Sequence, residues 1–442
     1  MADQAVSDDP RVQAQLDRLN AMTAGHDKLG RKRLRRLLER LGDPHLRMPP
    51  VFHVAGTNGK GSVCTYLREA IAAAGMTAHV YTSPHLVRLN ERIRIANQLV
   101  SDEELARLLS DTLDAVGNDE TTFFEATTAA AFLAFSRHPA DACIVEVGIG
   151  GRLDATNVIP DAIACGIAEI GIDHQEYLGN TVEEIASEKA GIAKPGAPLV
   201  TLSYKPPIEA RIAEAATAVG APILAKGRDW DANFLDGRLH YRDAEGAMEL
   251  PMPALVGAHQ ADNAGLAIAM MRHQQVLKIG EQAIETAMIQ ARWPARLSLL
   301  GPGPVTDQFA EDSQLWLDGA HNVTAMEAVV EFMQGRLAPG AKLHIIFALL
   351  DDKDAHGVMG CFGAVTCDII TVPIAGYHCR PPGELCAIAR ELNLDAREAA
   401  DFAAALKTIG DEARLEKPLT ILITGSLYLA GQVLRFNRQV PD

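Results

Sequence analysis

The chain lacks several features that mark particular classes of protein. No apolar run among its 442 residues reaches about 18 residues, so no membrane span is expected. The first residues, MADQAVSDDP, have neither the basic nor the apolar segment of a secretory signal. Seven cysteines, an odd number, form no CxxC pair, which favours buried reduced thiols. Together these absences predict a cytoplasmic protein.

Positive charge is also scarce. Lys and Arg number 41 against 57 Asp and Glu, a net charge of −16. Such a balance disfavours nucleic acid and anionic membranes as partners. The one basic cluster, residues 31–36, overlaps leucines at helical spacing and is typical of the solvated face of an amphipathic helix. Neither nucleic acid nor membrane is therefore an expected partner.

Apolar runs alternate with alanine- and leucine-rich segments along the chain. Continuous apolar strands joined by helices predict a mainly parallel sheet covered on both faces. Residues 229–252 differ and predict a short antiparallel excursion, and a second alternating set follows the turn-rich residues 301–304. At this length one core is not expected. We predict an α/β fold with an N-terminal P-loop-type domain, residues 1–295, and a smaller Rossmann-like C-terminal domain, residues 296–442.

The most informative segment is AGTNGKGS at residues 55–62, directly after an apolar strand. Its glycines let backbone N–H groups converge on phosphate oxygens, and the following helix adds its positive end. Lys60 is the natural charge partner of a transferring phosphate. The usual pattern has Ser or Thr straight after the lysine, but here Gly61 precedes Ser62. The segment predicts a nucleoside triphosphate site formed by Gly56, Thr57, Asn58, Gly59, Lys60, Gly61 and Ser62.

The spelling GTNGKGS resembles the ATP loop of the Mur-ligase superfamily. Its extra glycine is similar to the branch of bifunctional folylpolyglutamate synthases and dihydrofolate synthases. Further segments match this branch in the family's order, from about residue 28 to 428: SPHL at 83–86, EVGIGGRLDATN at 146–157, IGIDHQEYLG at 170–179, SEKAGI at 187–192 and DGAHN at 318–322. The resemblance therefore covers nearly the whole chain.

The resemblance implies ATP and two Mg²⁺ ions as cofactors. It makes Ser83 and Glu146 ligands of one ion and His174 a ligand of the other, and an acid at a strand end suits this hard cation. Lys189 matches a lysine that is carbamylated in the family. Carbamylation needs a neutral amine, so Lys189 is expected where its ammonium form is disfavoured. Catalytic roles are implied for Lys60, His174 and Lys189.

The resemblance also implies residues that contact the larger substrates. Beyond the loop, the expected ATP contacts are Asn263, Arg296, Asp318 and His321. The expected pteroate contacts lie in three segments: Lys28, Leu29 and Gly30; Thr122, Phe123, Phe124 and Glu125; and Leu153, Asp154 and Ala155.

The implied function is ATP-dependent ligation of L-glutamate to dihydropteroate and to folates by a monomeric enzyme. Phosphoryl transfer from ATP activates the carboxylate as an acyl phosphate, which the amine of glutamate attacks. Three alternatives stay open: a monofunctional folylpolyglutamate synthase, a Mur-type cell-wall ligase, and an NTPase switch. The last leaves the DGAHN and Arg296 matches unexplained.

Overall fold

The computed structural model describes residues 5–22, 30–338, 340–412 and 418–441. The chain divides into two compact units. The first unit runs to Ala254 and resumes over Gln260–Arg292, and the second comprises Leu255–His259 and the chain from Trp293 onward. The predicted boundary after residue 295 falls close to the division at Arg292. The excursion of Leu255–His259 into the second unit was not anticipated from the sequence.

An eight-stranded sheet forms the centre of the first unit. Its strand order is β4-β3-β2-β5-β1-β6-β7-β8, and all pairs are parallel except those of the edge strands β3 and β4. Its strands are β1 Val51–Ala55, β2 Ala78–Tyr81, β3 Ile93–Ile95, β4 Gln98–Leu99, β5 Ala142–Glu146, β6 Ala164–Ile167, β7 Leu199–Thr201 and β8 Ile223–Ala225. Every residue of β1, β2, β5, β6 and β7 is buried, as expected of a sheet covered on both faces.

Ten helices are described in the first unit: α1 Pro10–Met22, α2 Lys32–Arg40, α3 Lys60–Ala73, α4 Asp102–Val116, α5 Phe123–Arg137, α6 Gln175–Leu178, α7 Val182–Ala190, α8 Pro206–Val219, α9 Gln260–His273 and α10 Glu281–Gln290. The basic helix α2 buries Leu34, Leu37 and Leu38 and exposes Arg35 and Arg36, so the predicted solvated basic face is confirmed. None of the helices in the described part of the chain combines the length and apolar character needed to cross a bilayer.

The predicted antiparallel excursion is a three-stranded sheet. Strands β9 Trp230–Leu235, β10 Arg238–Asp243 and β11 Gly246–Pro251 pair in the order β11-β10-β9. Alternating burial along β10 shows that one face of this sheet is covered and the other faces solvent.

The second unit has its own six-stranded sheet, in the order β12-β13-β17-β14-β15-β16. Only the edge pair β12–β13 is antiparallel among the described strands. The strands are β12 Ser298–Leu299, β13 Gln314–Leu317, β14 Leu343–Phe347, β15 Cys367–Thr371, β16 Ala396–Glu398 and β17 Thr420–Thr424. The helices are α11 Val323–Gln334, α12 Ala355–Gly360, α13 Pro382–Glu391, α14 Phe402–Glu412 and α15 Leu427–Phe436. Both units are therefore α/β folds with mainly parallel sheets, as predicted.

Candidate active site

The shape of the loop between β1 and α3 depends mainly on its backbone conformation and backbone carbonyl groups. Gly59 has φ of 85° and α3 begins at Lys60, so a residue in the left-handed region turns the chain into the helix. The Nζ atom of Lys60 donates to the carbonyl oxygens of Gly56 at 2.9 Å and Thr57 at 3.1 Å. A Cβ atom on Gly59 would collide with Oδ1 of Asn263 on α9. The structure therefore brings Asn263 directly against the phosphate loop.

The loop is fastened to the segment that follows β6. The carbonyl oxygen of Glu169 accepts from the backbone N–H of Thr57 at 2.6 Å, and its Oε2 accepts from Nδ2 of Asn58 at 2.9 Å. The hydroxyl of Thr57 lies 3.0 Å from the backbone groups of Gly171. Sequence reasoning missed Glu169, although its position between β6 and the IGIDH segment was a usable signal.

Ser83 and Glu146 lie together at the ends of neighbouring strands β2 and β5. The backbone N–H of Ser83 donates to Oε2 of Glu146 at 3.2 Å, and the Glu146 side chain is buried. Burial and the Glu146 carboxylate raise the pKa of the Cys64 thiol well above its usual range, while Lys60 acts in the opposite direction. The charges of Glu146 and Lys60 thus both lie close enough to influence the Cys64 thiol.

His174 follows β6 in a left-handed backbone conformation, with φ of 51°. Its N–H donates to Oδ1 of Asp173 at 2.8 Å, and its Nε2 lies 4.0 Å from Oδ2 of the same residue. About a third of the His174 side chain is exposed, beside the carboxylate of Asp173.

The donor chemistry fits a divalent cation that shares its coordination with a nucleotide. Within residues 5–22, 30–338, 340–412 and 418–441, no three His, Cys, Asp or Glu side chains cluster closely enough to hold a metal ion. Mg²⁺ usually takes one or two carboxylates and completes its coordination with phosphate oxygens and water. A buried carboxylate beside the phosphate loop suits that arrangement.

Lys189 is buried in the last turn of α7, with 3% of its surface exposed. Burial, reinforced by the charge of Lys60, lowers its pKa from 10.5 to about 7, although Asp173 and Asp154 oppose the shift. The ammonium form is therefore disfavoured at this position, as expected from the sequence. Carbamylation of Lys189 stays a prediction.

The segment from Gly148 to Val158, here called the substrate loop, packs on the end of α7. A Cβ atom on Gly151 would lie 2.6 Å from the carbonyl oxygen of Glu188 and 2.8 Å from that of Lys189. The backbone N–H of Arg152 donates to the carbonyl of Glu188 at 2.7 Å. Two segments that sequence reasoning treated separately are thus one packed unit.

Asp154 is buried within the substrate loop and holds its shape. Its Oδ1 accepts from the N–H of Thr156 at 2.9 Å and from the Thr156 hydroxyl, and its Oδ2 accepts from the N–H of Ile149 at 3.0 Å. Burial raises the pKa of Asp154, and these hydrogen bonds partly offset the shift. Ala155 is also buried, while Leu153 is half-buried. Pteroate contact by these three residues stays a prediction.

The start of α5 contributes an aromatic side chain to this region. The Phe124 ring lies where a Cβ atom on Gly148 would be, and its centroid is 5.9 Å from that of Tyr81. Thr122 and Glu125 instead cap the helix reciprocally. The backbone N–H of Thr122 donates to Oε2 of Glu125 at 3.0 Å, and the backbone N–H of Glu125 donates to the Thr122 hydroxyl at 3.1 Å.

The remaining predicted pteroate residues are not brought into the same group. Oε2 of Glu125 lies 3.0 Å from Nε of Arg33, with which it forms an ion pair. The guanidinium carbon of Arg92 lies 5.2 Å from the centroid of the Phe123 ring. Gly30 is half-buried outside any helix or strand. Lys28 and Leu29 lie outside the described residues.

In the second unit, Arg296 precedes β12 and lies close to Asp318 and His321, which follow β13. Both carboxylate oxygens of Asp318 accept backbone N–H groups at 2.7 Å, from Leu297 and Ala320. Burial raises the pKa of Asp318, and Arg296 opposes the rise. Asp318 therefore organises the loop around Arg296, and its predicted contact with ATP ribose stays a prediction.

Arg296 sits between two residues with unusual backbone conformations. Ala295 and Leu297 have φ of 55° and 46°, and both side chains are buried. Such conformations are uncommon outside glycine and cluster at functional positions. His321 Nδ1 lies 2.8 Å from the carbonyl oxygen of Gly319, which fixes the ring close to the same loop.

Known proteins resemble this chain over most of its length. The Mur ligase middle domain matches residues 54–271. The dihydrofolate synthase/folylpolyglutamate synthase of Bacillus subtilis (strain 168) is 36% identical over 342 residues, covering 74% of this chain and 76% of the relative.

Solved structures agree with the sequence comparison. Escherichia coli FolC in complex with DHPP and ADP superposes with a TM-score of 0.85 at 30% identity, covering 96% of this chain and 97% of that chain. A bifunctional folylpolyglutamate synthase/dihydrofolate synthase with Mn, AMPPNP and L-glutamate bound gives a TM-score of 0.83 at 30% identity, covering 98% and 99%. The chain belongs to the dihydrofolate synthase/folylpolyglutamate synthase family of Mur ligases.

Proposed function

We propose that the protein is an ATP-dependent ligase that joins L-glutamate to dihydropteroate and adds glutamate to folates. The observation that carries the proposal lies in the first unit. There a lysine-bearing phosphate loop, the buried Glu146 and the substrate loop follow neighbouring strands of one sheet. Solved relatives that hold ADP with DHPP, or AMPPNP with L-glutamate, support the same assignment.

The chemistry begins with a carboxylate, which is a poor acylating agent because oxide is a poor leaving group. A carboxylate oxygen attacks the γ-phosphorus of ATP, the bond to the β–γ bridging oxygen breaks, and ADP leaves. The α-amino group of glutamate then attacks the acyl carbon of the acyl phosphate. Phosphate leaves, the nitrogen loses a proton, and an amide remains. Lys60 neutralises charge on the transferred phosphoryl group, which is the main demand of such a step.

Ser83, Glu146 and His174 are the residues we propose to hold two Mg²⁺ ions. When bound, Mg²⁺ neutralises charge on the phosphate oxygens of ATP. The carboxylate of Glu146 accepts from the Ser83 N–H and is buried, and a cation stabilises a buried carboxylate.

Lys189 is proposed to act as a carbamate. Its neutral amine adds to carbon dioxide, forming an N–C bond and releasing one proton, so a neutral group becomes an anion. Burial of Lys189 supports the proposal because it favours the neutral amine. The anion would add to the negative charge that attracts Mg²⁺.

Substrate contacts complete the proposal. Asn263 in the first unit, and Arg296, Asp318 and His321 in the second, keep their predicted ATP roles. Phe124, beside Gly148 and Tyr81, offers an aromatic face to a flat pteridine ring. We further propose a monomer, and a location in the cytoplasm, the latter supported by seven free cysteine thiols.

One assay tests the function. ADP release is measured with dihydropteroate, tetrahydrofolate or a UDP-muramyl substrate, each with and without glutamate. Release is expected with both folate-type substrates and only when glutamate is present. Activity with tetrahydrofolate alone would indicate a monofunctional enzyme, activity with the UDP-muramyl substrate a cell-wall ligase, and release without any acceptor an NTPase switch.

A further inference from the structure

A fully buried histidine occupies the central strand of the first unit. His53 lies in the middle of β1, two residues before Ala55, where the strand gives way to the phosphate loop. It has 0% exposure, and its neighbours Phe52 and Val54 are equally buried. A polar ring at such a position is costly unless it makes a specific hydrogen bond. An aliphatic residue would fill this space at lower cost, so the histidine needs an explanation.

The ring of His53 makes its hydrogen bond to the substrate loop. Its Nε2 lies 2.9 Å from Oγ1 of Thr156, 103 residues further along the chain. Its Nδ1 finds no hydrogen-bond partner within the described part of the chain. Only one side of the ring is therefore used, and that side faces Thr156.

The direction of this hydrogen bond follows from its neighbour. The hydroxyl of Thr156 donates to Oδ1 of Asp154, so its oxygen is left to accept. Burial, with a smaller contribution from Lys194, lowers the pKa of His53 to about 3, so the ring is neutral and carries one N–H. That hydrogen must be on Nε2, from which it is donated to Thr156.

The connection continues across the substrate loop. Asp154 accepts from the N–H of Ile149 at 3.0 Å through its other oxygen. His53, Thr156, Asp154 and Ile149 thus form a buried chain of hydrogen bonds, here called the His53 relay. It begins on the strand that leads into the phosphate loop and ends near the start of the substrate loop.

A second set of buried contacts holds the next residue in place. Nζ of Lys194 donates to Oδ1 of Asn157 at 2.6 Å, and Arg31 donates to the Asn157 carbonyl at 2.9 Å. These bonds anchor the far end of the substrate loop but do not connect it to β1. Among the described residues, His53 supplies the side-chain hydrogen bond that joins β1 to the loop.

We propose that His53 is a positioning residue for the carboxylate substrate. Through Thr156 it orients Asp154 and registers the substrate loop against the strand that carries the phosphate loop. The inference rests on the proposed function, since it assigns this loop to the pteroate-bearing substrate. A loop that is already held in its binding conformation binds substrate more tightly, because less ordering has to occur on binding.

The test compares variants that remove or keep the donor. His53→Leu fills the site without a donor, whereas the amide nitrogen of His53→Gln can reach the position of Nε2. His53→Leu should raise KM for dihydropteroate about tenfold, the scale of one lost buried hydrogen bond. Its KM for ATP should stay within about twofold, and His53→Gln should stay close to wild type.

Thr156→Val tests whether His53 acts through its neighbour. This variant removes the hydroxyl at nearly constant volume and should raise KM for dihydropteroate as His53→Leu does. The double variant should be no worse than Thr156→Val alone, because both changes break one connection. Additive effects, or equal increases in KM for ATP and dihydropteroate, would overturn the proposal.

His79→Leu is the matched control. His79 is equally buried in β2 of the same sheet, where it stacks on Phe135 at 4.8 Å and bonds the carbonyl of His138. His79→Leu should lower stability without changing KM for dihydropteroate. A change in that KM as large as that of His53→Leu would mean that any buried histidine produces the effect, and the relay would be rejected.

Hydrogen exchange gives a readout that does not depend on activity. The amides of Ile149 and Thr156, which donate to Asp154, should exchange faster in His53→Leu than in wild type and His79→Leu. Unchanged exchange at both amides would overturn the relay. If wild-type protein shows no glutamate-dependent ADP release but exchange responds as expected, the proposed function fails while the structural link stands.

Discussion

The phosphate loop and the substrate loop follow two strands that pair directly, yet they are built in opposite ways. The phosphate loop after β1 leaves Thr57, Asn58, Gly59 and Lys60 half-exposed. The substrate loop after β5 buries the run from Asp154 to Val158. In the first, the loop residues and their one cation stay partly exposed. In the second, the polar side chains form hydrogen bonds within the loop itself.

Glycine shows the same difference. Gly59 supplies a positive φ that turns the chain into α3. Gly151 is required because it has no side chain: carbonyl oxygens of α7 lie too close to the position that its Cβ atom would occupy. The comparison teaches that the exposed side chains of the phosphate loop, such as that of Lys60, should tolerate substitution structurally while activity is lost. The substrate loop should lose stability first.

Lys60→Ala is expected to have the largest effect. Turnover should fall by roughly two or more orders of magnitude, the scale of lost electrostatic stabilisation of a transition state. Thermal unfolding should barely change, since Lys60 is half-exposed and, within the described part of the chain, its Nζ hydrogen-bonds to carbonyl oxygens of its own loop. ADP release and a melting curve measure both. Near-normal ligation by the folded variant would reject the phosphate-loop assignment.

Lys189 should make activity depend on pH, because a carbamate forms only from the neutral amine. Below about pH 7 the neutral fraction falls about tenfold per pH unit, and glutamate-dependent activity should follow it. Lys189→Arg should not restore function, whereas a short carboxylic acid should partly rescue Lys189→Ala. NMR with labelled bicarbonate would detect the carbamate. An active Lys189→Arg enzyme would contradict the carbamate.

The lowered pKa of Lys189 also makes the stability of the fold depend on pH. The pKa of Lys189 in the fold is about 7, below its ordinary 10.5, so the folded state binds this proton less tightly than the unfolded chain. Stability contributed by the neutral amine is present above about 10.5 and is lost as pH falls to about 7. In buffer free of carbon dioxide, the stability advantage of Lys189→Met over wild type should therefore grow across this window and then level off. A constant difference would contradict the shift.

Gly151→Ala should reduce the free energy of unfolding by about 1–3 kcal/mol, because its methyl group meets backbone oxygens of α7. Urea unfolding measures the loss. Gly410→Ala in α14 is a suitable control, since a Cβ atom there meets nothing within 4 Å among the described residues. The control should gain roughly 0.5–1 kcal/mol from helix propensity. Equal effects at the two glycines would refute the close packing.

Arg152→Ala should have the smallest effect, about 0–1 kcal/mol. The Arg152 side chain is 56% exposed where it pairs with Glu188 at 2.7 Å, and such pairs contribute little. The backbone bond from Arg152 to Glu188 survives the substitution. A loss above about 2 kcal/mol in urea unfolding would show that the ion pair, rather than the backbone, fastens the substrate loop.

Sequence reasoning located the strands well because buried parallel strands are continuous apolar runs. β5, for example, is apolar from Ala142 to Val145 and is buried throughout. It also identified the phosphate loop, whose glycine spacing is itself the physical requirement. It missed Glu169, whose contact with Asn58 spans 111 residues, and it could not find the role of His53, because Thr156 lies 103 residues away and nothing local marks that pairing.

Motif matching also left the direction of side chains undetermined. Asp154 and Asp318 match ligand-contact positions, and each carboxylate also accepts backbone N–H groups, from Ile149 and Thr156 for Asp154 and from Leu297 and Ala320 for Asp318. A motif fixes residue type and spacing, whereas burial decides which hydrogen bonds are available. The contribution of Leu255–His259 to the second unit is likewise a property of contacts alone.

The backbone on either side of Arg296 has a consequence for protein engineering. Ala295 and Leu297 hold left-handed conformations that glycine adopts without steric penalty. A search for heat-resistant variants could therefore select Ala295→Gly, since relief of strain on the order of 1 kcal/mol raises the melting temperature. Such a variant would also loosen the segment that aims the arginine. Thermostability and turnover should be screened together at this position, because a gain in one can conceal a loss in the other.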